Sequence, residues 1–214
     1  MKLFFLGLSC ITAIFIGAAG KMYTLMPKAV GNSVIAEKTT GKTGGNQVSA
    51  IIPANITDKQ SNLLAMAYSV AKQNGLNNPE VMQAVLLQET LAGGIKSYKV
   101  ANPGPEAYFG VSQIKLQATK DVLSKWPGLY SQYGFHTKTD DEIKANLILN
   151  DKFNVDVASK YLVILKQVYG YSGKELLNAY NRGPSGVKHV DDTYHYALGA
   201  QQKLQAFKKK PQNS

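Results

Sequence analysis

The chain has 214 residues, 44% of them hydrophobic, and a formal net charge of +10 at pH 7. That length and apolar content exclude a disordered chain and suffice for one domain with its own core plus extensions. The single cysteine, Cys10, excludes a disulfide framework, and three scattered histidines (His136, His189 and His195) without any Cys/His cluster argue against a metal centre. The positive balance predicts a polyanionic partner: nucleic acid, an anionic membrane or an acidic wall polymer. Nucleic acid is the least supported, because no basic helix or aromatic–basic alternation appears.

Met1-Lys2 and the apolar run that follows to Ala19 predict an export signal over residues 1–20. Gly17, Ala18, Ala19 and Gly20 supply small residues for cleavage. The run is long for a signal core and close to the minimum for a membrane span, so a retained anchor is the alternative. Residues 21–55 mix Gly, Thr, Lys and Val without a sustained period and read as a flexible arm. The stretch Ala36 to Thr43 superficially fits a phosphate loop, but Gly44-Gly45 follow at once where a helix is required.

The folded part is expected from 56 to 208, followed by a basic tail, 209–214. Thr57-Asp58-Lys59-Gln60 predicts a capping box, opening a helix through Leu63, Leu64, Ala67, Tyr68 and Ala71. Asn78 and Pro79 predict the next start, as N-cap and first helical residue. Met82, Val85, Leu86 and Glu89 then share one stripe, with Gly93-Gly94 ending the helix. Residues 95–109 read as an irregular loop. Gly110-Val111-Ser112-Gln113 leads into a helix ending at Trp126, before Pro127-Gly128. Thr139-Asp140-Asp141-Glu142 and Ser172-Gly173-Lys174-Glu175 predict two more capping boxes. Between them, Val157, Tyr161, Leu162, Leu165 and Val168 keep helical spacing up to Gly170. A last helix is expected from Asp192 to Phe207, with Tyr194, Ala197, Leu198 and Leu204 inward. No strand pair is expected. The fold class is all-α, with six or seven helices joined by short connections.

Glu89 has two readings on residues alone. It is either a stripe-edge glutamate whose head reaches water, or a carboxyl in an apolar setting. In the second case its pKa rises and it can protonate a leaving group near neutral pH.

Three patches follow in order: Gln88-Glu89-Thr90, Gly110-Val111-Ser112-Gln113 and Asn178-Ala179-Tyr180-Asn181-Arg182-Gly183-Pro184. Each falls at a helix start or end, where side chains can converge on one cleft. Together they resemble the lytic transglycosylase family of soluble-transglycosylase, goose-lysozyme-like fold. That family carries Glu-Ser, then Gly-Leu-Met-Gln, then Ala-Tyr-Asn-Ala-Gly. The resemblance covers residues 60–205. Thr90 stands where the family has Ser, Val111-Ser112 replace Leu-Met, Arg182 replaces Ala, and the loop 96–108 is unlike the family's usual one.

The resemblance implies a lysozyme-like helical domain that cleaves peptidoglycan between N-acetylmuramic acid and N-acetylglucosamine. Glu89 is then the sole catalytic acid/base and forms a 1,6-anhydromuramoyl product. It needs no cofactor and no metal. Tyr180 is the expected hydrogen-bond partner that orients Glu89; its plain alternative is a core tyrosine. Thr90, Ser112, Gln113 and Asn181 offer hydroxyl and amide groups to the sugar, with capping and turn chemistry as the alternative. Tyr108 and Phe109 either stack on sugar faces or close the core. Tyr194 matches a tyrosine that the family often has near the cleft. The implied partners are glycan strands, in the periplasm or cell envelope, and an envelope-spanning secretion or conjugation machine, with no nucleic acid. The competing functions are a lysozyme-type hydrolase, with Asp140 or Asp141 activating water, and a non-catalytic wall-binding component of such a machine.

Overall fold

A computed structural model of the chain describes residues 56–95, 107–189 and 194–209. The chain divides into two units, 1–46 and 47–214, and every described residue belongs to the second. The expected signal segment, arm and last tail residues lie outside the described residues, as do the loop 96–106 and the segment 190–193.

The described part is mostly helical: α1 (Asp58–Gln73), α2 (Glu80–Thr90), α3 (Leu116–Lys125), α4 (Gly128–Gln132), α5 (Asp140–Leu149), α6 (Asp151–Tyr169), α7 (Gly173–Arg182) and α8 (His195–Lys208). A 3₁₀ turn, Pro184–His189, follows α7. None of the described helices is long and apolar enough to cross a membrane.

Helix α6 is the axis of the domain. Phe153 to Ser159 and Tyr161 to Leu165 are all buried, so this helix is covered on every side. Helices α1, α3, α5 and α7 pack around it. Asn150 starts it, its Oδ1 accepting from the Phe153 amide at 3.0 Å, and Gly170 ends it at φ +73°. Helix α2 lies between α1 and α8. Its Met82, Val85 and Leu86 are fully buried.

Several expectations need correction. Helix α2 starts at Glu80, with Pro79 in the cap position and no side-chain cap bond. The Thr57–Gln60 box forms with both reciprocal bonds. The box at Thr139 forms only in half. Thr139 Oγ1 accepts from the Glu142 amide, but the Glu142 carboxylate turns to the amides of His136, Thr137 and Lys138 instead. Ser172 makes no side-chain cap bond. Val168 and Leu198 point outward, because each lies off the face its helix buries.

A strand pair also exists where none was expected. The strands β1 (Tyr108–Phe109) and β2 (Ile114–Lys115) pair antiparallel, Tyr108 opposite Lys115 and Phe109 opposite Ile114. Two residues per strand are too few to show an alternating pattern in sequence. Helix α3 therefore begins at Leu116, after the hairpin rather than at its turn.

Candidate active site

The end of α2 is built to hold one side chain still. Leu91 and Ala92 leave the helix at φ 50° and 53°, a left-handed conformation that costs non-glycine residues about 1–2 kcal/mol each. Three bonds offset this. Gln60 Nε2 on α1 donates to the Leu91 carbonyl at 2.6 Å, Thr90 Oγ1 donates to the Val111 carbonyl at 2.8 Å, and the Gly93 amide donates to Thr90 Oγ1 at 3.0 Å. Thr90 is 1% exposed. Its hydroxyl is therefore spent inside, joining α2 to the hairpin, rather than presented to a ligand.

Glu89 sits one residue earlier, partly exposed. Tyr196 on α8 donates its hydroxyl to Glu89 Oε1 at 2.6 Å. Burial pushes the Glu89 carboxyl up from 4.5 to about 7, against the opposing pull of the Tyr196 hydrogen bond and the Lys203 ammonium. Burial and the charge of Glu89 hold the Tyr196 hydroxyl well above its ordinary range, so it stays a donor. One carboxyl oxygen is thus held by a fixed donor, and the group changes charge near neutrality. That is the equipment of a general acid/base.

Tyr180 was expected to orient Glu89, and it does not. Its hydroxyl donates to the Ser112 carbonyl at 2.9 Å. The hairpin turn offers that carbonyl along the way, and Tyr196 has taken the carboxyl. Tyr180 is still a neighbour: its hydroxyl is pushed well above the ordinary range by burial and, to a lesser degree, by the charge of Glu89. Tyr194 forms the cap position of α8, and its side chain makes no cap hydrogen bond. The tyrosine of this helix that reaches Glu89 is two residues further on.

The hairpin turn is pinned from below by Asn154 of α6, which is fully buried. Asn154 Oδ1 accepts from the Ser112 amide at 2.9 Å, and Nδ2 donates to the carbonyls of Phe109 at 2.9 Å and Leu147 at 3.2 Å. This close approach requires Gly110. A Cβ there would lie 2.1 Å from the Leu147 carbonyl oxygen and 2.2 Å from Asn154 Nδ2, at a φ of +67°. Ser112 is fully buried, and its Oγ finds no partner among the described residues. It faces inward, not toward a sugar.

A groove of about 80 Å³ runs beside the hairpin, lined by Tyr108, Gln113, Lys115, Tyr180, Asn181 and Arg182 among others. Four of the expected binding residues thus share one groove: Tyr108, Gln113, Tyr180 and Asn181. Tyr108 is 44% exposed with Lys115 Nζ 5.2 Å from its ring centre, whereas Phe109 is buried in the core. Gln113, at φ 50°, donates Nε2 to the Gly110 carbonyl at 2.7 Å, which leaves its amide oxygen as the acceptor. Glu89 is not itself on the lining; Tyr180 is on it and is near enough to Glu89 to feel its charge. A larger, mostly apolar groove of about 180 Å³, between Leu76, Val81, Tyr171, Leu177 and Leu204, brings none of these groups together. No group of three potential metal ligands occurs among the described residues.

Three residues of this site escaped the sequence reading: Tyr196, Lys203 and Asn154. For Tyr196 and Lys203 the sequence offers a shared helix face but no partner. They stand seven residues apart, nearly two turns, and so share one face of α8. An asparagine within the apolar run of α6 was the corresponding signal for Asn154. No protein-family model, no curated protein and no solved structure matches the chain.

Proposed function

We propose that the chain is a peptidoglycan lytic transglycosylase with a lysozyme-like helical domain. The observation that carries this reading is the Glu89 carboxyl, poised near pH 7 and gripped on one oxygen by Tyr196. The three sequence patches that carry the family resemblance are linked by hydrogen bonds, which supports the reading. The ends of α2 and the hairpin turn are joined by Thr90, and the hairpin turn and α7 by Tyr180.

In the proposed reaction, protonated Glu89 gives its proton to the glycosidic oxygen as the bond from the muramic anomeric carbon breaks. The acetamido group of the muramic sugar stabilises the carbon left behind. The Glu89 carboxylate then takes the proton of the muramic C6 hydroxyl, whose oxygen closes on the anomeric carbon. The carboxyl is restored, no water is consumed and the product carries a 1,6-anhydro ring. Substrate-assisted glycosidases likewise depart from the two-carboxylate rule.

The near alternative, a hydrolase, needs a base to activate water. Asp140 and Asp141 are poorly suited to it. They stand at the start of α5, with Lys120 Nζ 3.0 Å from Asp140 and Lys144 Nζ 3.1 Å from Asp141. Mass spectrometry of digested wall tests the reading. Anhydro ends, one water lighter than hydrolysed ends, are expected; reducing muramic ends would overturn it. Glu89→Gln should lower the rate by about 10² to 10⁴.

A further inference from the structure

Helix α2 carries its acid in an electrostatically poor place. The carbonyls that end a helix bear partial negative charge, so a carboxylate in the last turn is disfavoured and a cation is favoured. The last turn of α2 contains no basic residue. The cation comes from α8. Lys203 Nζ lies 3.4 Å from the carbonyl oxygen of Gln88, the residue before Glu89.

The same face of α8 makes two further contacts with this end of α2. Tyr196 binds Glu89. Between Tyr196 and Lys203, Gly199 leaves room for Gln88: a Cβ there would come within 3.0 Å of Gln88 Oε1. Lys203 is partly buried, and desolvation lowers its pKa while the charge of Glu89 raises it. The groups that act on Glu89 among the described residues are therefore Tyr196 and Lys203 from α8 and Tyr180 from α7.

We propose that Lys203 is a positioning residue for Glu89: it seats the end of α2 against α8 and supplies the counter-charge that the carboxylate lacks on its own helix. This rests on the reading of Glu89 as the proton-transfer group. Its consequence is specific. The first half-reaction needs the acid and the second needs the anion. Lys203 favours the anion and so keeps both forms within reach near neutral pH.

The test is a carboxyl NMR titration of Glu89 in the full ¹³C-glutamate-labelled chain, beside a pH profile of wall cleavage. Lys203→Met should move the Glu89 midpoint up by roughly half a pH unit, and the alkaline limb of the profile with it. Lys203→Arg should restore both. Lys203→Gln keeps a donor for the Gln88 carbonyl without the charge, and should behave as Met. A Gln variant, or a folded Met variant, that titrates like wild type would overturn the proposal. Failure of the functional reading looks different: Glu89→Gln would leave wall cleavage undiminished whatever the titration gives.

Discussion

Tyr196 and Glu89 meet at 2.6 Å across 107 residues of sequence, hydroxyl to carboxyl, between α8 and the end of α2. The bond leaves one carboxyl oxygen for a proton and fixes the direction in which it points. Tyr196→Phe removes the donor and keeps the ring. Because this hydrogen bond lowers the pKa of Glu89, its loss should move the Glu89 titration upward from about 7. A hydrogen bond to a charged group is worth about 1.5–3 kcal/mol, so on the proposed function wall cleavage at neutral pH should fall by roughly 10- to 100-fold. Tyr180→Phe should do something else. It strands the Ser112 carbonyl, costs about 1–2 kcal/mol in a denaturant melt and moves the Glu89 midpoint little.

Asn154 ties the hairpin to α6 by two bonds and the end of α5 to α6 by a third. Asn154→Leu should fill the space but take a partner from one amide and two carbonyls. We expect a loss of about 3 kcal/mol or more, read in urea unfolding, with wall cleavage falling in the same variant. Gly110→Ala should be worse tolerated, since backbone as well as side chain blocks the added carbon.

Two glutamates should give the domain opposite pH dependences. Glu89 is raised to about 7, first by burial. Its folded form is therefore favoured fully below 4.5, and that advantage is lost as pH rises through 7. Glutamine carries no charge and still accepts from Tyr196, so Glu89→Gln should be the more stable protein at pH 8, by up to about 3 kcal/mol, with the gap closing toward pH 5. Glu142 is lowered to about 2, by the His136 amide first and then by the Thr137 and Lys138 amides and the Thr137 hydroxyl. Its contribution is present above 4.5 and lost as pH falls through 2. Melting curves at stepped pH should show Glu142→Gln matching wild type in acid and falling below it at pH 6.

A buried polar cluster around Asp156 should matter to stability rather than to the titration of Glu89. Asp156 accepts from Asn74 Nδ2 at 2.8 Å, from the Tyr133 hydroxyl at 2.8 Å and from Lys160 Nζ at 2.9 Å. It joins the end of α1 to α6 and to the residue after α4. Removing the acid strands a largely buried ammonium, so Asp156→Ala should cost about 3–5 kcal/mol in a denaturant melt. At temperatures where it remains folded, its pH profile for wall cleavage should coincide with that of wild type.

What the amino-acid sequence determined by itself was local or periodic. Apolar residues three and four apart predict α1, α2, α6 and α7 nearly to their ends, because a helix repeats within a few residues. The capping box at Thr57 was legible for the same reason: donors and acceptors sit three residues apart. So was the position of Glu89 on an otherwise apolar stripe. Pairings over long separations were not legible. Nothing in the order of residues says that Tyr196 rather than Tyr180 reaches the carboxyl, since both lie on or beside apolar faces. The choice follows from how α7 and α8 pack, which gives Tyr180 a hairpin carbonyl first. The hairpin itself was hidden, being two residues to a strand and held by an asparagine on another helix. The pKa of Glu89 belongs to the tertiary structure as well. It is a balance of burial against a hydroxyl and an ammonium, and the distances that set that balance exist only once α2 and α8 are in contact.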